Sequence, residues 1–156
     1  MRRKDREISD PAFFKDVFEK SPVLTVAFCD GGLPYCVPLH FVELGGALYF
    51  HCAREGHKLD CMARDPHVHF NAFDSVEVDL VKASAHFRSV SGSGLAETVE
   101  DEEERRAVMC ALMQKYTGRG EIPAHKDMGR TLVVKIAVTS LTGKQHAKLP
   151  PDIRLT

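Results

Sequence analysis

Apolar positions come in short blocks along this chain, and their period changes from block to block. The polar opening MRRKDREISD gives way at Asp10-Pro11 to AFFKDVFEK, where Phe14 and Phe18 recur at helical spacing with Phe13 and Val17 beside them. Asp10 can cap such a helix, and Pro11 suits its first position. Residues 22–29 (PVLTVAFC) are nearly all apolar and β-branched, which predicts a strand, and Asp30-Gly31-Gly32 predicts a hairpin turn after it. Residues 35–44 predict a second strand, Gly45-Gly46 a second tight turn and residues 47–53 a third strand. Residues 56–65 read as a helix behind a glycine turn, stopped by Asp65-Pro66. Residues 68–73 predict a fourth strand, and residues 83–99 a fifth with a bulge or bend at Gly92 and Gly94. Asp101 and Glu104 stand at capping-box spacing before a helix over residues 101–116, whose Val108, Leu112 and Tyr116 share a face. Residues 131–141 predict a sixth strand.

Six strands joined mostly by hairpins, with helices inserted, predict a mainly β fold, an antiparallel barrel rather than a βαβ sheet. One domain is expected over residues 1–145. The segment from His146 on holds two prolines and few apolar residues, and a loose tail is expected over residues 146–156. No G-x-G-x-x-G follows the first strand, so a dinucleotide fingerprint is missing.

Composition narrows the picture. The formal net charge of −1 over 156 residues gives no overall field to attract nucleic acid or an anionic membrane. No run of about 18 apolar residues occurs, and no apolar stretch follows the basic start, so neither a membrane span nor a signal peptide is expected and a cytoplasmic protein is. Five cysteines at irregular spacing argue against a disulfide framework.

Three segments carry candidate chemistry. Residues 48–58 (LYFHCAREGHK) join a strand end, a glycine turn and a basic helix start. Free N–H groups at a helix N-terminus favour an anion, and Lys58 adds a full charge. Residues 32–41 (GLPYCVPLHF) place Pro38 within a strand, which suits an edge or backbone facing a ligand. Residues 87–94 (FRSVSGSG) offer the Arg88 fork and the Ser89 hydroxyl. A zinc site built from His51, Cys52, His57, Cys61, His67 and His69 matches no ligand template, and strand alternation turns His51 and Cys52 to opposite faces, so no metal is assigned.

With Leu141-Thr142-Gly143-Lys144, these segments make the chain resemble the nitroimidazole-resistance-type branch of the pyridoxamine 5′-phosphate oxidase-like flavoproteins. That branch typically shows Gly-x-Pro-Tyr-x-Val-Pro-Leu-Asn-Phe, Tyr-Phe-His-Ser-Ala-x-x-Gly-x-Lys and Tyr-x-Ser-Val-x-Gly-x-Gly in this order. Two positions depart from the pattern: His40 stands for the Asn and Phe87 for the Tyr.

The resemblance implies a six-stranded antiparallel split β-barrel and a homodimer with FMN in two interface clefts. It implies that Val37, Pro38, Leu39 and His40 lie along the isoalloxazine, that His51, Cys52 and Ala53 follow the ring edge and ribityl chain, and that His57 and Lys58 hold the phosphate with help from Arg88 and Ser89. The expected activity is an FMN-dependent oxidoreductase, with a reduced nicotinamide as donor, a small flat acceptor such as a nitroaromatic or quinone, and His51 touching the acceptor. A non-catalytic flavin- or haem-binding module is the alternative.

Overall fold

The computed structural model describes residues 3–123 and 128–146. The tail expected over residues 146–156 therefore lies outside the described residues, apart from His146, which ends a strand. Besides two single-turn 3-10 helices (Lys4–Arg6 and Met128–Arg130), the described elements are β1 (Glu7–Ile8), α1 (Pro11–Lys20), β2 (Leu24–Asp30), β3 (Leu33–Leu39), β4 (Phe41–Leu44), β5 (Ala47–Ala53), α2 (His57–Arg64), β6 (His67–Asp79), β7 (Ser84–Thr98), α3 (Glu102–Thr117) and β8 (Thr131–His146).

Local chemistry accounts for the boundaries. The side chain of Asp10 accepts from Ala12 N–H at 2.9 Å and starts α1. Asp101 accepts from Glu104 N–H at 2.7 Å and starts α3. That helix stops at Gly118, whose φ of 70° is the left-handed conformation common just past a helix end. Both hairpin turns, Gly31-Gly32 and Gly45-Gly46, have positive φ at each residue, as a tight turn of this hand requires.

All strands join one antiparallel sheet in the order β3-β2-β6-β7-β8-β5-β4, with β1 beside β8. The sheet is not closed: β3 and β4 are its two edges, yet only His40 separates them in the chain. The single strand expected over residues 35–44 is thus two strands at opposite ends of the sheet, broken at His40. Residues 22–29 form β2 with a start at Leu24, and β8 runs on to His146, past the expected end at Leu141. The larger difference is the β6–β7 hairpin. It continues beyond Phe73 to Asp79, with a register shift between Asp74 and Glu77 where Ser75 takes a φ of 51°.

Period-2 alternation divides the core. Leu48 and Phe50 point into the barrel with Leu24, Val26, Phe41, Phe70, Val90, Val134 and Ile136. The alternate residues Tyr49 and Val133 point outward and are covered by Val108, Met109 and Leu112 of α3. On the barrel side, α1 contributes Phe14, Val17 and Phe18. No helix among the described residues is long and apolar enough to cross a membrane.

Lys115 lies outside every sequence motif and reads as a surface residue, but the fold half-buries it. Its Nζ donates to the Phe18 carbonyl at 2.8 Å and sits 3.7 Å from the Phe41 ring centroid. Burial lowers its pKa to about 8. An unfolded lysine holds its proton to about pH 10.4. Between these values the unfolded chain binds the extra proton, so stability must rise with pH across that window. The urea midpoint of the wild type is expected to climb relative to that of Lys115→Met between pH 8 and pH 10. Parallel pH curves for the two proteins would contradict the assignment.

Candidate functional site

β5 delivers its last residues to one end of the barrel. Register pairs His51 with Val133, Cys52 with Leu132 and Ala53 with Thr131. Alternation then gives these residues different roles. His51 is half-buried and Ala53 exposed on one face, whereas the Cys52 side chain belongs to the barrel core. Burial pushes the Cys52 thiol up, with the charge of Lys58 pulling it down. A ligand running along this strand end therefore meets Cys52 through its backbone and not through its thiol.

The chain turns at Gly56, whose φ of 143° is open to glycine and not to an ordinary residue, and enters α2. Among the described residues, no side chain caps this helix. Its first intrahelical acceptor is the Gly56 carbonyl, which takes Leu59 N–H at 2.8 Å and Asp60 N–H at 3.3 Å. The earlier N–H groups, those of His57 and Lys58, point out of the helix start, and the half-buried Lys58 stands beside them. This arrangement can receive an anion.

The side chain of His57 does not turn toward that anion position. Its Nε2 is 2.9 Å from Asp30 Oδ2, and the Tyr35 ring meets it edge-on at a centroid distance of 4.7 Å. The contribution expected of His57 is thereby confined to its backbone N–H. Arg88 departs further from expectation. Its guanidinium forks onto the Asp74 carboxylate and reaches Asp16 Oδ2 at 2.6 Å. In the β7–β8 ladder Arg88 pairs with Gln145 and Ser89 with Lys144, at the far end of β8 from the Ala53–Thr131 pair. One chain therefore does not bring Arg88 and Ser89 to Lys58. The compact motif spacing hides this, because β7 and β8 are long and are entered from opposite ends.

β3 is an edge strand, as Pro38 requires. Val37 and Leu39 pack toward the core, while Pro38 and His40 are exposed. With a partner on one side only, β3 leaves backbone groups along its other side. The His40 ring stacks on Tyr116, centroids 4.3 Å apart and planes 26° from parallel. The Tyr116 hydroxyl accepts from Phe41 N–H at 2.9 Å and lies 3.0 Å from the Pro22 carbonyl. Burial pushes this hydroxyl up. Sequence reading places Tyr116 only on a helix face. A polar tip on an otherwise apolar helix stripe is the signal that could have marked it.

Two concave regions are prominent. One, of about 1120 Å³, lies between α1, the β4–β5 hairpin and α3, with Phe14, Phe18, Leu44, Leu48 and Lys115 among its walls. The other, of about 610 Å³, lies over β2, β6 and β7, with Leu33, Pro34, His67, His69 and Leu95. Neither is lined by any residue expected to touch a flavin. The helix start at Lys58 and the β3 edge lie open on a single chain.

An open antiparallel barrel whose edges are joined by one residue, with an uncapped helix start after β5, defines a split β-barrel of the pyridoxamine 5′-phosphate oxidase type. The profile of the pyridoxamine 5′-phosphate oxidase family matches residues 14–145, and this chain belongs to that family. Among solved structures, a candidate 5-nitroimidazole antibiotic resistance protein from Bacteroides thetaiotaomicron is 26% identical, with a TM-score of 0.76 over 88% of this chain and 85% of that one. A flavocytochrome from Azotobacter vinelandii is 18% identical, with a TM-score of 0.77 over 96% of this chain and 73% of that one. An FAD- and haem-binding protein from Mycobacterium smegmatis is 20% identical, with a TM-score of 0.77 over 94% of this chain and 76% of that one. No curated protein matches the sequence.

Proposed function

We propose that this chain is an FMN-dependent oxidoreductase acting on a small flat acceptor, such as a nitroaromatic or quinone, and that it works as a homodimer in the cytoplasm. The observation that carries the reading is the α2 start: a helix without a side-chain cap, its first N–H groups outward, and Lys58 half-buried at the end of β5. These groups fit a terminal phosphate. The free edge of β3 at Val37, Pro38 and Leu39 fits the rim of a heterocycle with donors and acceptors. When bound, FMN would supply the hydride or electron transfer. The protein would orient the ring along β3, hold the phosphate at Lys58 and present His51 to the acceptor. Solved relatives of the same fold that bind flavin support the cofactor class, and the candidate nitroimidazole resistance protein supports the acceptor class. FMN is preferred to FAD because the chain has no second nucleotide fingerprint.

The open site supports the dimer reading. Residues expected to surround the flavin line neither of the two prominent concave regions described above, and a wall from a second chain would enclose a flat ring. The extended β6–β7 hairpin offers apolar surface for such a contact: Leu80 and Val81 are 88% and 96% exposed, beside Val76 and Val78.

One set of samples tests both. Mass spectrometry of the released cofactor is expected to give FMN, and light scattering of the flavin-loaded protein is expected to give twice the chain mass. Lys58→Ala removes a charge-assisted hydrogen bond of about 1.5–3 kcal/mol, so FMN affinity should fall about 10- to 150-fold. Arg106, exposed on α3, is the matched control; Lys115 is unsuitable because of its contacts with Phe18 and Phe41. Equal dissociation constants for wild type and Lys58→Ala, FAD as the main cofactor, or a haem Soret band in the purified protein would each overturn the reading.

A further inference from the structure

A second cluster sits on the other side of the same helix start. We propose that Asp30, His57 and Cys61 form a binding site for a divalent transition metal of the zinc class, independent of flavin binding. The fold assembles the three from separate places. The Gly31-Gly32 turn ends β2 at Asp30, paired with Leu33 across the hairpin. His57 and Cys61 are four residues apart on α2 and share a face. His57 Nε2 lies 2.9 Å from Asp30 Oδ2 and 3.8 Å from Cys61 Sγ, and the three donor atoms all lie within 4.8 Å of one another.

These distances suit a small tetrahedral ion. Zinc bonds of about 2.0–2.2 Å to nitrogen and oxygen and about 2.3 Å to sulfur place neighbouring ligand atoms roughly 3.3–3.6 Å apart. The His57–Asp30 pair is slightly closer than that and the His57–Cys61 pair slightly wider. Binding would require the exposed His57 ring and the half-buried Asp30 carboxylate to rotate toward the buried Cys61, with the Asp30–Cys61 pair, within 4.8 Å, closing as well. An imidazole, a thiolate and one carboxylate select zinc-like ions over magnesium or calcium, which prefer all-oxygen sites.

The surroundings hold the ligands in place. Arg64 donates to Asp30 Oδ1 at 2.9 Å and leaves Oδ2 directed at His57. The same guanidinium nitrogen lies 3.8 Å from Cys61 Sγ. The Tyr35 ring edge sets the plane of His57. On binding, a metal–sulfur bond replaces the S–H bond of Cys61 and the proton goes to solvent. Three protein ligands leave the fourth position to water, as in open zinc sites.

Full-length protein, stripped of metal with a chelator, would be titrated with Co²⁺ and then Zn²⁺. The expected result is one equivalent of Co²⁺, a thiolate-to-cobalt charge-transfer band, tetrahedral d–d bands, and displacement of all of them by Zn²⁺. Cys61→Ser should lose the charge-transfer band, and Asp30→Asn and His57→Ala should each weaken binding at least tenfold. Cys61 is buried, so circular dichroism monitors folding of its variant. If that variant fails to fold, His57→Ala, altered at the surface, decides alone. Lys58→Ala should leave the metal titration unchanged, so failure of the flavin reading and failure of this one are separately visible. A missing charge-transfer band in the wild type, or one equivalent bound with unchanged affinity by His57→Ala, would overturn the proposal and leave adventitious binding only.

Discussion

Arg88→Met is expected to destabilise the protein by about 3–5 kcal/mol, the usual result of removing one member of a buried ion pair. Asp74, with 6% of its side chain exposed, depends on the Arg88 fork, and Asp16 of α1 joins the same guanidinium from the other side. These carboxylates hold the Arg88 pKa above its ordinary value. The guanidinium also lies 5.7 Å from the Phe13 ring centroid, so one residue ties α1 to β6 and β7. Without it, a desolvated carboxylate remains with no cation. Arg88→Lys should recover only part of the loss, since an ammonium cannot form the fork. Arg88→Met combined with Asp74→Leu should recover more than either single variant predicts, because no buried charge is then left alone. Urea denaturation at constant m-value measures all of these. A loss below about 1 kcal/mol for Arg88→Met, the size of an exposed ion pair, would show that the network contributes no more than a surface contact. The folded Arg88→Lys protein also tests the flavin role implied for Arg88: unchanged FMN affinity is expected, given its distance from Lys58 along the sheet.

Gly92→Ala is expected to lower stability by about 3 kcal/mol, near the top of the ordinary range for overpacking. A Cβ at this position would collide with the backbone carbonyl oxygen of Ser140, and would lie 2.7 Å from Phe70 Cζ and 2.8 Å from Leu141 Cδ2. Phe70 is 1% exposed, and the oxygen belongs to the β7–β8 ladder, so neither yields without opening the sheet. For a chain of this size the loss corresponds to a fall in Tm of roughly 6–12 °C. Gly31→Ala is the comparison. Gly31 has a φ of 59° and nothing within 4 Å of its Cβ, so its penalty is conformational only, about 1–2 kcal/mol. Equal melting temperatures for the two variants would mean that β7 and β8 separate at Gly92 more easily than their register suggests.

Much of this architecture is legible in the chain. The DGG and GG turns, the Asp10 and Asp101 caps and the glycine before α2 each encode a local geometry that a short window reveals. Gly92 and Gly94 signal an irregularity, and a register shift does fall between Ser93 and Gly94. The break at His40 is hidden because residues on both sides are equally strand-like; only the sheet order shows that they belong to opposite edges. The extension of β6 past Phe73 is hidden because Asp74 and Ser75 resemble a loop, whereas Asp74 is held by Arg88 and Ser75 forms the bulge. In the site, Lys58 and the β3 edge follow from spacing, but the partners of His57 and Arg88 do not. Asp30 reads as a turn residue and Asp16 as a helix-surface residue until the fold brings each to its cation. Tyr116 is likewise hidden, since its hydroxyl serves a backbone 75 residues away.

The strand order also bears on how the chain is made. β5 pairs with β4 on one side, but its other ladder partner is β8, which begins 78 residues after β5 ends. At about 5–20 residues per second, a ribosome needs on the order of 4–15 s to supply that partner. During this interval the β2–β3 and β4–β5 hairpins can form locally, but β5 and β7 both wait with one flank unsatisfied. A nascent chain stalled before Thr131 therefore exposes two long strand edges at once, the surface that most readily pairs with another chain. Arrival of β8 satisfies the open flanks of β5 and β7 together and removes both edges from such pairing.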